Sequence, residues 1–390
     1  MAPLRIMLVA AEPSGDALGA GLMRALRGRL GEDVVFFGVG GPLMRAEGLD
    51  SLFDIAELSI WGWAEGIKAY PKVVKLADRA ASLASQNPDA AVLIDSWGFT
   101  LRVGQRLRKR DPNMLLIKYV GPQVWAARPG RAKTLAKTFD HLLSILSFDA
   151  PYFERAGLPV TKVGNPHLMR SFEGADAERA RERIGAGPDD PILLVLPGSR
   201  PSEVQRLMPP FGEAAALLKA SRPGLRIALV VAPNVAETVK AEAAKWPAAP
   251  HFIEGEAAKH DAMKAAAVAL ACSGTVTTEL ALAGCPMVVA YKVSALSAVL
   301  IRLVIKTRFI TLFNIASGRA IAPELIQGRC TGPALAEALA ARLDDPHLRA
   351  RQAAEQTAAL ALMGPRDGPD PSERAAEAVL DLIRQRRSKG

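Results

Sequence analysis

Short apolar runs rich in β-branched residues alternate along the chain with longer stretches whose apolar positions recur every three or four residues. The first run is Leu4–Ala10, and a polar turn, Glu12-Pro13-Ser14-Gly15-Asp16, separates it from a helical pattern through Leu18, Leu22 and Leu26. Val34–Val39, Ala90–Ile94 and residues 115–120, 141–146 and 160–163 continue the series as predicted strands. Strands joined by helix-length crossovers pair in parallel, and the right hand of those crossovers puts helices on both faces of the sheet. The alternation lapses over 172–191, a stretch rich in Ala, Glu, Arg, Gly, Asp and Pro, and resumes with strands at 192–196, 226–232, 251–253, 265–271 and 286–290. Helices are expected at 211–219, 333–343, 348–362 and 373–384, the last capped by Ser372.

The fold class is therefore α/β: two Rossmann-like domains, 1–171 and 190–362, with a ligand cleft between them. Residues 363–390 are expected as a C-terminal helix that packs back on the first domain or on a partner subunit. Two segments depart from the alternation. Residues 53–76 gather Phe53, Ile60, Trp61, Trp63, Ile67, Tyr70 and Val73 in a chain only 5% aromatic, and form either core beneath a loop or the wall of an apolar cleft. Residues 291–314 mix apolar positions with Arg302, Lys306 and Arg308; they read as a basic amphipathic helix followed by a short strand, suited equally to an anionic bilayer and to a partner subunit.

Composition narrows the partners. At 390 residues, 49% hydrophobic and 23% charged, the chain has the size and core material of about two globular domains. A net charge of +9 favours anionic partners: phosphates, acidic lipid surfaces or nucleic acid. The basic residues are scattered among acidic ones and no aromatic stacking motif stands out, which argues against nucleic acid. Cys272, Cys285 and Cys330 are odd in number and lack C-x-x-C spacing, so neither a disulfide framework nor a zinc site is expected, and a reducing cytoplasm fits best. Leu4–Ala10 lacks the flanks of a signal peptide. The most apolar later run, 293–305, is interrupted by Ser294, Ser297 and Arg302 and is too short to span a bilayer, which leaves peripheral contact only.

Candidate chemistry collects where strands end. After Ile192–Leu196 comes Pro197-Gly198-Ser199-Arg200, where a glycine admits close backbone approach and a guanidinium can fork onto a phosphate; an ordinary βα loop is the alternative. After 265–271 comes Cys272-Ser273-Gly274-Thr275, whose amides and hydroxyls at a helix start suit a diphosphate, with Glu279 a turn further on where it could accept both hydroxyls of a ribose. Ser14 caps a helix or helps an anion to bind. Asp95 ends its strand beside Trp97 and Phe99, as a general base or as a helix cap.

These strings together are identified with one family. Glu12-Pro-Ser-Gly-Asp16, residues 38–44, Tyr119-Val120 with Gln123-Val124-Trp125, Leu196-Pro-Gly-Ser-Arg200, Ser273-Gly-Thr275 with Glu279, and Cys285-Pro-Met-Val-Val289 resemble lipid A disaccharide synthase, in the family's order and over nearly the whole chain. The resemblance implies a GT-B glycosyltransferase that moves a diacylglucosamine unit from UDP to the 6-hydroxyl of diacylglucosamine 1-phosphate, with inversion and with no metal or other cofactor. It implies action at the cytoplasmic face of an inner membrane by a homodimer whose C-terminal elements are exchanged. Gly198, Ser199, Arg200, Ser273, Gly274, Thr275 and Glu279 would then hold UDP, with Asn314 joining them. Asp95 would be the base and Glu12 its rival, Ser14, Gly15 and Asp16 would shape the acceptor side, and Trp61, Trp63, Ile67, Leu300 and Arg302 would meet acyl chains or bilayer. Four places depart from the family pattern: Ser96-Trp97-Gly98 where a proline is usual, Gly121 for Ser, Ala127 for Trp and Asn165 for His, with His167 close enough in sequence to stand in for that imidazole. Lacking an Asp-x-Asp motif, the chain would neutralise the departing diphosphate with Arg200 and helix amides.

Overall fold

A computed structural model describes residues 3–58, 63–294, 307–366 and 368–388, side chains of 63–69 excepted. The chain divides into two compact units, Met1–Pro166 with Asp367–Gly390, and His167–Arg366. The first unit carries a parallel sheet of seven strands: β1 (Leu4–Ala10), β2 (Val34–Val39), β3 (Asp50–Ser51), β4 (Ala90–Ile94), β5 (Leu116–Tyr119), β6 (His141–Ser144) and β7 (Val160–Lys162), in the order β3-β2-β1-β4-β5-β6-β7. The second carries six parallel strands, β8 (Ile192–Leu196), β9 (Arg226–Val231), β10 (His251–Glu254), β11 (Val268–Cys272), β12 (Met287–Tyr291) and β13 (Glu324–Ile326), in the order β10-β9-β8-β11-β12-β13. Strands buried on both faces explain the unbroken apolar runs: β4, β8 and β11 are buried at every residue.

Each order reverses once, between β1 and β4 and between β8 and β11. There the following helices leave on opposite faces, so the two loops splay and open a crevice at the carboxyl ends of the strands. Glu12 and Asp95 flank the first reversal; Gly198 and Ser273 flank the second.

Differences from the expected elements have local causes. The helix Pro201–Ser221 starts ten residues earlier than the pattern suggested and runs through Pro209 and Pro210, because Pro201 takes the N1 position where its missing N–H costs nothing and Val204, Leu207, Met208 and Phe211 line its buried face. Residues 172–191, expected as linker, contain the helix Ala177–Ile184; Asp176 caps it, accepting from Glu178 N at 2.9 Å, and Gly185 ends it in the left-handed conformation. Pro13, not Ser14, opens the first helix, Pro13–Leu30, with Glu12 at the N-cap. The cap of Pro371–Arg387 is Asp370, accepting from Ser372 N at 2.7 Å, and not Ser372. Strands β3 and β13 are two and three residues long, too short to show a period.

Pro371–Arg387 packs on Pro13–Leu30: Ala375, Ala376, Val379 and Ile383 share a buried cluster with Ala20, Met23 and Leu26, and Arg29 Nε lies 3.0 Å from Glu373 Oε2. Among the described residues no helix is long and apolar enough to cross a membrane.

Candidate active site

The loops at the β8/β11 reversal line a cavity of ≈ 420 Å³ in the second unit. Gly198, Ser199, Arg200, Ser273, Gly274, Thr275 and Glu279, singled out in sequence, all line it. Gly198 is needed there: its φ is +102°, and a Cβ would come 2.7 Å from Glu203 Oε2 and 3.3 Å from Cys272 Sγ. Arg200 occupies the N-cap of Pro201–Ser221 through its backbone alone, which frees the guanidinium; it is largely exposed and aligned by Glu203, 2.9 Å from Arg200 Nη1. That hydrogen bond, and then the charge of the same carboxylate, raise the Arg200 pKa. Gly274 caps Thr275–Leu282, an eight-residue helix whose first residues, Thr275 and Val276, line the cavity, where helix amides can receive an anion. Cys272 lines the same space, but burial, followed by the charge of Glu203, pushes its thiol far up, so it is no nucleophile.

Glu279 is buried at 5% exposure and is answered by two cations: Lys259 Nζ lies 2.8 Å from Oε2, and Arg170 donates to Oε1. Neither cation was found in sequence. Lys259 comes from the helix Glu256–Ala265 and Arg170 from an irregular stretch, and no spacing ties either to Glu279. Burial, and then the charge of the same Arg170, lower the His167 pKa, with Glu279 opposing them. Asn314 does not join the cavity. It is fully buried, its Nδ2 donates to Ala322 O and Glu324 Oε1 at 2.9 Å, and its Oδ1 accepts from Ile321 N at 2.9 Å, so its amide ties Leu312–Ser317 to β13.

At the β1/β4 reversal of the first unit, Ser14 Oγ donates to Asp95 Oδ2 at 2.8 Å. Glu12 is exposed at the helix start and Asp95 is half-buried one residue beyond β4. Asp95 and Ser96 have φ of +49° and +37°, and Val120, one residue beyond β5, has +69°. Non-glycine residues adopt this region at a cost of about 1 kcal/mol or more each, and clusters of them mark sites where geometry is imposed by function. Beneath Asp95 lies Lys118, buried at 1% exposure inside β5, donating to Thr100 Oγ1 at 2.8 Å and to the Asp95 carbonyl. In sequence it is a lysine within the otherwise apolar run 115–120, which by itself does not show that it is enclosed. Arg131 stacks on Trp97, its Cζ 5.1 Å from the ring centroid.

Asp16, expected on the acceptor side, serves the fold. It is 2% exposed and its carboxylate accepts from Gly41 N at 2.8 Å, Leu43 N at 2.9 Å and Met44 N at 3.0 Å, capping the helix Pro42–Ala46 from a neighbouring element. Asp16→Ala strands these amides and is expected to cost roughly 2–3 kcal/mol, read as a lower urea midpoint; a midpoint at the wild-type value would count against this assignment. Gly121 leaves room that the Phe153 ring fills, since a Cβ there would come 2.6 Å from Phe153 Cζ. Trp61, Leu300 and Arg302 lie outside the described residues, as do the side chains of Trp63 and Ile67.

A glycosyltransferase from Rickettsia africae aligns with this chain at TM-score 0.59 and 12% identity, covering 100% of this chain and 99% of that one. A UDP-GlcNAc 2-epimerase from Neisseria meningitidis, bound to UDP-GlcNAc, aligns at TM-score 0.59 and 11% identity over 99% and 100% of the two chains. At such identities these likenesses speak for the fold, and the fold is GT-B, as the resemblance implies and as two Rossmann-like halves allow. The lipid-A-disaccharide synthase of Rhodospirillum centenum is 46% identical over 387 residues, which cover 99% of this chain and 96% of that protein. The pattern of the lipid-A-disaccharide synthetase family matches residues 6–373, through both switch-point sites, and the chain belongs to that family.

Proposed function

We propose that Asp95 is the general base of this glycosyltransferase and that Gly198, Ser199, Arg200, Ser273, Gly274, Thr275 and Glu279 hold the uridine diphosphate of its donor. The enzyme transfers 2,3-diacylglucosamine from UDP-2,3-diacylglucosamine to the 6-hydroxyl of 2,3-diacylglucosamine 1-phosphate, releasing UDP and the disaccharide 1-phosphate. The observation that carries the residue assignment is the cavity at the β8/β11 reversal, where a glycine turn, a guanidinium and a helix N-terminus converge.

In the proposed step Asp95 takes the proton of the acceptor 6-hydroxyl while its oxygen attacks the anomeric carbon. The bond from that carbon to the β-phosphate oxygen breaks on the opposite face, so configuration inverts. The negative charge left on the diphosphate is taken up by Arg200 and by the amides at Ser273, Gly274 and Thr275. Ser14 fixes the orientation of the Asp95 carboxylate, and Glu12 and Gly15 border the acceptor. Both substrates carry acyl chains, and on that ground we place the enzyme peripherally on a membrane surface; the cytoplasmic face of the inner membrane and a homodimer are what the resemblance to the family implies.

The test is an assay in detergent with both lipid substrates and a chelator, following UDP and disaccharide together. Equal appearance of the two is expected, undiminished by the chelator. Release of UDP without disaccharide would make the protein a hydrolase, and dependence on added divalent metal would displace Arg200 from its role.

A further inference from the structure

Lys118 is the one ionisable side chain buried within β5 apart from the Tyr119 phenol, and a buried ammonium persists only where its protons find acceptors and its charge is answered. Its acceptors are Thr100 Oγ1 and the carbonyl oxygen of Asp95. The charges that answer it are Asp95 and, more weakly, Glu12; the phenol and the backbone around it carry none at neutral pH. Burial pushes its pKa down to about 7, a loss the two carboxylates only partly recover. The folded protein therefore bears a standing cost at this position, which a leucine or methionine would not impose.

What the cost maintains is the peptide of Asp95. The Asp95 N–H donates to Tyr119 O at 2.8 Å and its carbonyl accepts from Lys118, so two successive residues of β5 grip both ends of a residue held at φ +49°. Thr100 Oγ1, 2.7 Å from the same carbonyl and 2.9 Å from Ser96 O, closes the turn. Without these bonds the two left-handed residues would relax toward extended or helical backbone and swing the carboxylate away from Ser14.

We infer that Lys118 is the positioning residue for Asp95: it clamps the strained turn that presents the carboxylate at the sheet edge. This rests on Asp95 being the base. Lys118→Met keeps the length and the apolar stem while removing charge and donors. We expect kcat to fall on the order of 10²-fold, as for a displaced catalytic group, with KM for the UDP-sugar unchanged.

Stability should move the other way. The folded pKa of Lys118 lies below its unfolded value of 10.5, so the cost of burial is present in full below about pH 7 and fades as the pH rises toward 10.5. Lys118→Met should accordingly melt higher than wild type at pH 6, by a few degrees, with the gain shrinking at pH 9. A merely structural lysine would give lower activity together with a lower melting temperature, and that result overturns the inference, as does an unchanged kcat. Should Lys118→Met fail to fold, Lys118→Ala with added ethylammonium replaces it: rescue by the ammonium and not by ethanol supports the clamp, and equal rescue by both, or by neither, removes it. An Asp95→Asn enzyme of wild-type activity would sink the parent assignment instead, whatever Lys118→Met does.

Discussion

Asp95→Asn lowers kcat by about 10²–10⁴-fold, the usual contribution of a positioned general base, and leaves UDP affinity where it was. Asparagine keeps the shape of the side chain, and its amide oxygen still accepts from Ser14 Oγ. Its backbone can hold the left-handed conformation, which Asn tolerates as well as Asp does. What the change removes is basicity, so the loss reads on proton removal alone. Isothermal titration with UDP provides the control, since the residues assigned to UDP lie in the other unit. The matching Glu12→Gln variant should lose far less, because Glu12 is exposed at a helix start and holds no fixed partner comparable to the Ser14–Asp95 bond. If Glu12→Gln were the more damaged enzyme, the two carboxylates would exchange roles.

Arg200→Lys should cost on the order of 10²–10³-fold in kcat/KM, comparable to the loss of one donor aimed at developing charge. Lysine retains a single positive charge and can still pair with Glu203, so the fold at the start of Pro201–Ser221 survives. It loses the planar fork that can grip two phosphate oxygens at once. The effect should divide between weaker UDP binding, read by titration, and slower turnover at saturation, read in the assay. Arg200→Lys turnover close to wild type would mean that the helix amides alone neutralise the diphosphate.

How much of this was visible in the chain differs between its parts. Asp95, Gly198 and Ser273 could be placed because each follows directly on an apolar run, and in a doubly wound sheet the residue after such a run stands at the ligand-binding edge. Lys118 could not. A lysine in a strand usually points to solvent, and only the neighbouring strands and the turn at Asp95 show that this one is enclosed. The resemblance implies ligand contacts for Asp16 and Asn314, yet Asp16 spends its hydrogen bonds on backbone amides and Asn314 on backbone groups and the Glu324 carboxylate, all brought close by the fold. Arg170 and Lys259 escaped for the same reason in reverse, since the carboxylate they answer, Glu279, lies on a different element in each case. The helix Ala177–Ile184 hid in a charged, Gly- and Pro-flanked stretch because its apolar stripe is only Ala177, Ala180 and Ile184, and its caps and the pairing of Arg179 with buried Asp261, 2.6 Å away, supply the rest.

The helix Pro371–Arg387 belongs to the first unit's core although all of His167–Arg366 intervenes. On the ribosome, the first unit therefore emerges with one side of Pro13–Leu30 uncovered, and it stays so while the second unit is translated, on the order of tens of seconds. Ala20, Met23 and Leu26 face water or a chaperone during that interval. A stop codon falling after Arg366 but before Pro371 would leave the second unit intact and the Asp95 half open, so nascent-chain quality control would see the truncated product as an exposed apolar helix and not as a shortened tail.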